Sequence, residues 1–261
     1  MSDPLHVMTF NVRGPENPSP NSWTERRPRV LDMLRREHPH VLGTQEPRYH
    51  QIRDLAQGLR STHDWIGLGR EGGSASEFVA VFHDVERLLP LEFDHVWLSA
   101  FPRVIGSRTW GNWRHARMMT WVRFLDLSSG AEFVFVNTHL DHVSANARRR
   151  SAIAIRRLLT RRFPGVPAIV AGDFNVGTDS TPFATLTADG LLRDTAADTR
   201  TRTYNDWAPP VDGERIDWIL AGPGFEVDDA RTLTWTDDAG HCPSDHWRVQ
   251  AWLTRRPAAL T

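Results

Sequence analysis

Ala168-Ile169-Val170-Ala171-Gly172-Asp173-Phe174-Asn175 is the stretch from which the rest of the chain can be read. Four apolar residues make a short strand, a glycine closes it, and a carboxylate and an amide follow at once. The same arrangement recurs along the chain. Asn11 follows the β-rich run Leu5 to Phe10, Gln45 and Glu46 follow Val41 to Thr44, and Asn137, His139, Asp141 and His142 close the run Glu132 to Thr138. Asp217 lies in the run Ile216 to Leu220, and Ser244-Asp245-His246 precedes Trp247 to Leu253. Phe78 to Phe82 and Met119 to Leu125 are two further strand-like runs. A single Asn or Asp beyond a strand is ordinarily a turn former. Six such islands, all tipped with carboxylate, amide or imidazole, fit better with strand ends that converge on one cleft.

Two segments carry helical periodicity. Arg26 to Glu37 places Val30, Leu31 and Leu34 on one face, with Pro28 acceptable only in a first turn. Ala145 to Arg162 aligns Ala152, Ile155 and Leu159 and spreads seven arginines around the rest. Those arginines suit a solvated outer face, with contact to a phosphate backbone as the sharper alternative. Strands and helices mixed without strict alternation predict a layered α/β or α+β fold. With no repeat and no linker long enough to separate independent units, one domain is expected over 1–261. Its core runs from about 5 to 253 and is followed by a short tail rich in Pro and Ala.

The net charge of -1 provides no global field to hold a polyanion or an anionic membrane. All 31 basic side chains are arginine, so a cation that meets a phosphate must be guanidinium or imidazole. Without lysine a Walker loop cannot form, and no Gly-x-Ser-x-Gly elbow is present for a serine hydrolase. The lone Cys242 cannot form an internal disulfide and is expected to be a small buried apolar group with no catalytic role. No basic stretch followed by an apolar run opens the chain, and no run of ~18 apolar residues occurs. A cytoplasmic location without membrane insertion is expected.

Glu46, Asp173, Asp217 and Asp245 are hard oxygen donors, and neither a cysteine cluster nor a His-Glu-x-x-His helix is available for zinc. The expected ion is Mg²⁺ or Mn²⁺, which takes one or two carboxylates together with phosphate oxygens of a substrate. Such an ion, with amide and imidazole donors around it, stabilises charge on a phosphoryl group under attack.

The six islands, Thr9-Phe10-Asn11-Val12-Arg13, Gly43-Thr44-Gln45-Glu46, Asn137-Thr138-His139-Leu140-Asp141-His142, Gly172-Asp173-Phe174-Asn175, Arg215-Ile216-Asp217 and Ser244-Asp245-His246, stand in a telling order. In that order the chain resembles the endonuclease/exonuclease/phosphatase superfamily, the metal-dependent group related to deoxyribonuclease I. Asn21-Ser22-Trp23 with Arg26-Arg27, and Trp97-Leu98-Ser99, resemble a compact bacterial branch of it. The resemblance implies a four-layer α/β sandwich: two packed, mostly antiparallel β-sheets flanked by helices. It also implies roles. Glu46 is the principal metal ligand, helped by Asn11 and Asp245. Asp173 orients or deprotonates the attacking water, and Asn175 hydrogen-bonds the phosphoryl oxygens. His246 meets the scissile phosphate as donor or base, Asp217 holds its tautomer, and His139 donates to a nonbridging oxygen.

Weaker resemblances place Glu77 and Arg117 near the cleft, and Asp141 and His142 at the metal, at the substrate or bracing His139. In the irregular segment Gly106 to Arg117, Trp113 is a candidate for stacking on a base or sugar. The expected activity is hydrolysis of a phosphate mono- or diester by in-line attack of an activated water. A small phosphorylated metabolite or nucleotide is the favoured substrate over long nucleic acid, because no basic stripe is present. A nuclease acting on DNA or RNA is the nearest alternative, and a non-catalytic binding protein on the same fold is remote, since no key residue is missing. Nothing in the sequence calls for an obligate protein partner.

Overall fold

The computed structural model describes residues 3–256. The ends of the 1–261 domain expectation, including the Pro/Ala tail, lie outside the described residues. The elements, in chain order, begin with strand β1 (Leu5–Asn11), helix α1 (Trp23–Glu37), β2 (Val41–Arg48), α2 (Tyr49–Leu59), β3 (His63–Ile66) and β4 (Glu77–Asp84). Then come β5 (Leu88–Trp97), β6 (Met118–Asp126), β7 (Ala131–His139), α3 (Ala145–Arg157), β8 (Ala168–Asp173) and α4 (Thr181–Thr187). The last strands are β9 (Arg193–Asp194), β10 (Asp217–Ala221), β11 (Phe225–Leu233) and β12 (Arg248–Arg255).

The described strands form two six-stranded sheets, ordered β11-β12-β1-β2-β4-β3 and β5-β6-β7-β8-β10-β9. Each sheet holds one parallel pair at its centre, β1 with β2 and β7 with β8, and is otherwise antiparallel. The mostly antiparallel sandwich anticipated from the sequence is therefore what forms.

The two-residue period of a strand assigns its side chains to layers. Leu5 and Val7 of β1 join Phe133, Phe135, Ile169, Ala171, Ile219 and Val249 in a core between the sheets. The alternate residues Met8 and Phe10 turn outward to Val30 and Leu34 of α1 and Ile52 and Leu55 of α2. On the other side, Val134, Val136, Val170 and Trp218 pack against Ala152, Ile155 and Leu186 of α3 and α4. Helices thus cover both outer faces, giving four layers.

The same parity carries the site. Continuing the inward row past Ile169 and Ala171 reaches Asp173; past Phe133 and Phe135 it reaches Asn137 and His139; before Ile219 it starts with Asp217. Chain direction does the rest. β1, β2, β7 and β8 end, and β4, β6, β10 and β12 begin, at one end of the sandwich, so the polar residues at all these positions gather there.

Several elements escaped the sequence reading. The strands β3, β5, β9 and β11 and the helices α2 and α4 were not anticipated. β5 and β11 carry charged residues on half-exposed faces, as LLPLEFDHVW and FEVDDARTL show, so they lack the dense Val/Ile signature. α1 starts earlier than expected, where the Glu25 carboxylate accepts the Ser22 N–H at 3.3 Å, and Pro28 consequently sits inside the helix and not in its first turn. The regular α3 ends at Arg157 and passes into a π-helical turn, Leu158–Arg162. Its arginines make local outer contacts: Arg148 donates to the Asp141 carbonyl, Arg156 to the Ala188 carbonyl, and Arg162 pairs with Glu92. Arg149, Arg150, Arg157, Arg161 and Arg162 are exposed on that outer face.

At Gly172, with φ +151, an added Cβ would lie 2.0 Å from the Thr138 carbonyl oxygen of the adjacent strand. Gly172→Ala should therefore lower unfolding stability by roughly 2–4 kcal/mol. Gly130→Ala, where φ is +67 but no atom lies within 4 Å, should cost about 1 kcal/mol. Thermal denaturation of the two variants measures the difference, and equal losses would show that the close strand approach is not the constraint.

Candidate active site

A polar layer separates the apolar core from the open end of the sandwich. Gln45 donates to the Thr9 hydroxyl at 3.0 Å and to the Asn137 side-chain Oδ1 at 2.7 Å, while Asn137 donates to the backbone oxygens of Thr44 and Ala80 at 2.9 and 2.8 Å. Asn137 belongs to one sheet and Gln45, Thr44 and Ala80 to the other, so the network stitches the two sheets beneath the cleft. Asn137, prominent in the sequence motif, is thus a structural bridge. The amide hydrogens of Gln45 and Asn137 all reach acceptors, while Gln45 Oε1 is buried without a partner.

Above that layer Asn11 ends β1, and its side-chain amide donates to Glu46 and to Asp173, both at 2.9 Å. Its own oxygen accepts the Arg13 backbone N–H at 3.0 Å. Asn11 therefore meets the carboxylates as a hydrogen-bond donor, and its oxygen, the atom a metal ligand would offer, faces the backbone. Glu46 reaches this point because the β2–β4 register shifts after Gln45 and Glu46 itself takes φ +68. The bulge turns inward a side chain that strict alternation would send outward. Its second oxygen accepts from the Gly14 N–H at 3.3 Å.

Asp173 is the hub. His139 Nε2 lies 3.5 Å and His246 Nε2 3.9 Å from its Oδ2, and its Oδ1 accepts the Asn175 N–H at 2.9 Å. Asp217, paired with Asp173 across β8 and β10, accepts from His246 Nδ1 at 2.9 Å. Asn175, at φ +53, donates one amide hydrogen to the Leu140 carbonyl at 3.1 Å and leaves the other for the cleft.

The charges are strongly coupled. Burial, reinforced by Asp217, pushes Asp173 up to about 7 against the pull of His246 and Asn11. Burial opposes the His246 cation, yet Asp217, through its charge and its hydrogen bond, together with Asp173 raises His246 to about 10. Burial and the nearby Arg117 and Arg70 drive His139 well below its ordinary range, so it is a neutral donor or acceptor. Burial opposes ionisation of Glu46 too, but the Asn11 hydrogen bond, His246 and Arg13 together hold its pKa below the usual value.

The cleft measures about 370 Å³. Of the residues expected at the site, Glu46, Glu77, Arg117, His139, His142, Asp173, Asn175 and His246 line it. Others stand back or elsewhere. Asp217 is reached through His246. Asp245 faces Arg13 Nη1 at 3.3 Å, with Glu46 3.9 Å from the same nitrogen, so a guanidinium stands between these two carboxylates. Asp141 sits 3.6 Å from Arg117 and accepts the Val143 and Ser144 N–H groups at 3.0 and 2.6 Å, bracing Arg117 and the turn into α3. Trp113 is 71% exposed on its loop, which is tied to Glu71 through Arg108, and it is not among the residues that line the cleft. Cys242 is buried, as anticipated.

Arg13, Arg70, His115 and Tyr204 also line the cleft and were not singled out as site residues. Arg13 stood within a quoted motif, at φ +60 just beyond β1, and could have been found there. Arg70 and His115 lie in irregular loops with no motif around them. Arg26 was hidden as one helical arginine among many, yet its five N–H bonds reach the carbonyls of Asn21, Val12, Pro243, Arg13 and Gly14 at 2.7–3.2 Å. It fixes the turn after β1 against the irregular segment that leads into β12.

The side chains fit a divalent cation. Ligand atoms of Glu46, His139 and Asp173 lie within 4.8 Å of one another, as do those of Asp173, Asp217 and His246. Each cluster joins two carboxylates to one imidazole, a donor set of hard oxygens and one nitrogen that suits a divalent cation.

A two-sheet sandwich with acids and imidazoles gathered at one edge is the architecture of metal-dependent phosphoric ester hydrolases. The Endonuclease/Exonuclease/phosphatase family profile matches residues 8–246, and the chain belongs to that family. A protein of that description from Bacteroides vulgatus is 32% identical, with TM-score 0.90 over 97% of this chain and 99% of that one. A mannosyl-6-phosphatase from Bacteroides thetaiotaomicron is 30% identical, with TM-score 0.87 over 96% and 99% of the two chains. The human Nocturnin catalytic domain, 17% identical, shares the fold with TM-score 0.78 over 98% of this chain and 96% of that one. No curated protein matches the sequence. No helix among the described residues is long and apolar enough to cross a membrane.

His246 titrates near 10 in the folded protein against an ordinary value of 6.5. Its stabilising contribution is therefore complete below about 6.5 and is lost as pH rises through about 10. Thermal melts in EDTA should show Tm falling between pH 7 and 10, and Asp217→Asn should flatten that fall. A slope unaffected by the substitution would remove the Asp217–His246 pair as its source.

Proposed function

We propose that the protein hydrolyses phosphate esters of small metabolites, a sugar phosphate foremost, with Mg²⁺ or Mn²⁺, working as one domain in the cytoplasm. The observation that carries this reading is the convergence of Glu46, Asp173, His139, His246 and Asn175 on one cleft of about 370 Å³. That size suits a small ligand, and the 30% identical relative is described as a mannosyl-6-phosphatase. The lone Cys242 is in keeping with a reducing compartment.

Glu46 would hold the ion, with ligand atoms of His139 and Asp173 within reach and Asn11 fixing the carboxylates. Bound there, the ion supplies Lewis-acid stabilisation of charge on the phosphoryl group. Asp173 orients the attacking water and accepts its proton. The free amide hydrogen of Asn175 and a proton on His139 bind nonbridging oxygens. Asp217 fixes a proton on His246 Nδ1, which directs Nε2 and its own proton toward the phosphate. Asp245 and Arg13 neutralise one another at the rim beside Glu46.

A panel of hexose phosphates, nucleotides and plasmid DNA, assayed with Mg²⁺ or Mn²⁺ and with EDTA, tests the assignment. Metal-dependent release of phosphate from the small esters is expected. Plasmid nicking at low enzyme concentration would make the protein a nuclease, and no metal-dependent turnover on any phosphoester would end the reading. Asp173→Asn should reduce kcat by several orders of magnitude while the metal dependence of residual activity persists. Glu46→Gln should raise the metal concentration giving half-maximal rate. His246→Ala should cost about 10²–10⁴ in rate; a loss below about tenfold would remove it from proton transfer.

A further inference from the structure

Two histidines at the mouth of the cleft are held in one protonation form by two arginines behind them. Arg70 Nη2 donates to His115 Nδ1 at 3.1 Å, and Arg117 Nη2 donates to His142 Nδ1 at 2.9 Å. A guanidinium has no lone pair to offer, so each Nδ1 must be the unprotonated acceptor. The single proton of each ring then sits on Nε2. The rings lie 5.7 Å apart, and both line the cleft, His115 half-buried and His142 exposed. No side-chain hydrogen bond within the described residues engages either Nε2.

The arginines bring little net charge. Glu77 pairs with Arg70 through both oxygens, at 2.6 and 2.8 Å, and Asp141 faces Arg117 at 3.6 Å. Burial and the flanking Arg70 and Arg117 also depress His115, to about 4, and act in the same sense on His142 through burial and Arg117. The wall consequently presents two neutral N–H donors beyond the deeply buried His139 and Asp173 where the phosphoryl group binds. A second phosphate would call for unpaired cations at this place; hydroxyl groups call for neutral donors in fixed orientation.

We infer that His115 and His142 form the subsite that recognises hydroxyl groups of the leaving alcohol, with Arg70 and Arg117 acting as positioning residues that set their tautomers. The inference rests on the hydrolase reading above and assigns the residues that read its substrate, a polyhydroxylated, sugar-like alcohol carrying one phosphate.

The test compares kcat/KM for mannose 6-phosphate or glucose 6-phosphate with kcat/KM for p-nitrophenyl phosphate, whose leaving group has no further hydroxyl. In His115→Phe the ratio of sugar ester to aryl ester should fall at least about tenfold, one lost hydrogen bond to a poised donor. His115→Gln, which keeps an N–H close to the position of Nε2, should recover much of the ratio, a result that a purely structural role would not produce. His142→Phe should lower the ratio in the same direction. An unchanged ratio in both Phe variants, with folding verified by circular dichroism, overturns the subsite while leaving the hydrolase reading intact. Wild-type protein that turns over neither ester with Mg²⁺ or Mn²⁺ overturns the subsite, and one that turns over no phosphoester at all overturns the hydrolase reading as well.

Discussion

One amide holds the reactive end of this molecule together. Asn11 donates to Glu46, which belongs to its own sheet, and to Asp173, which belongs to the other. Two carboxylates in a partly buried site repel each other, and the energy of that repulsion grows as water is excluded. The amide hydrogens between them offset it and fix the spacing of the sheets at the edge where they are least supported by apolar packing. Cleft, imidazoles and candidate cation site all take their positions from that spacing.

Below Asn11 the sandwich changes character in layers. Ile169, Phe135 and Val249 pack without polar atoms, then Thr9, Gln45 and Asn137 form a hydrogen-bonded tier, and then come the charged groups Asp173, His139 and His246. The middle tier gives the charged one a rigid floor. Asn137 and Gln45 are buried, are joined by a hydrogen bond that crosses between the sheets, and contribute nothing to the lining of the cleft. Arg26 performs the corresponding task at the rim, with all its donors spent on backbone carbonyls.

The electrostatics divide the cleft into two regions. Toward its floor, burial and Asp217 raise Asp173, while Asp217 and Asp173 raise His246. Toward its mouth, Arg70 and Arg117 face carboxylates on one side and imidazoles on the other, and the charges cancel pairwise. The first region is suited to chemistry on a phosphoryl group and the second to reading what is attached to it.

The strands that make the site were legible in the sequence because they are buried on both faces and therefore rich in Val, Ile and Phe, as in Ala168–Asp173 and Ala131–His139. Their polar termini were legible because a carboxylate or imidazole directly after such a run has no apolar reason to be there. The edge strands β5 and β11 were not, since one exposed face dilutes the pattern with charge. What only the tertiary structure decided is which residues separated in sequence share a hydrogen bond. That Asn11 donates where a ligand would accept, that Arg13 stands between Glu46 and Asp245, that Trp113 lies outside the cleft and that Arg70 and His115 line it all depend on loop paths and a bulge at Glu46. Loop paths are set by long-range packing, which leaves no periodic trace in the amino-acid order.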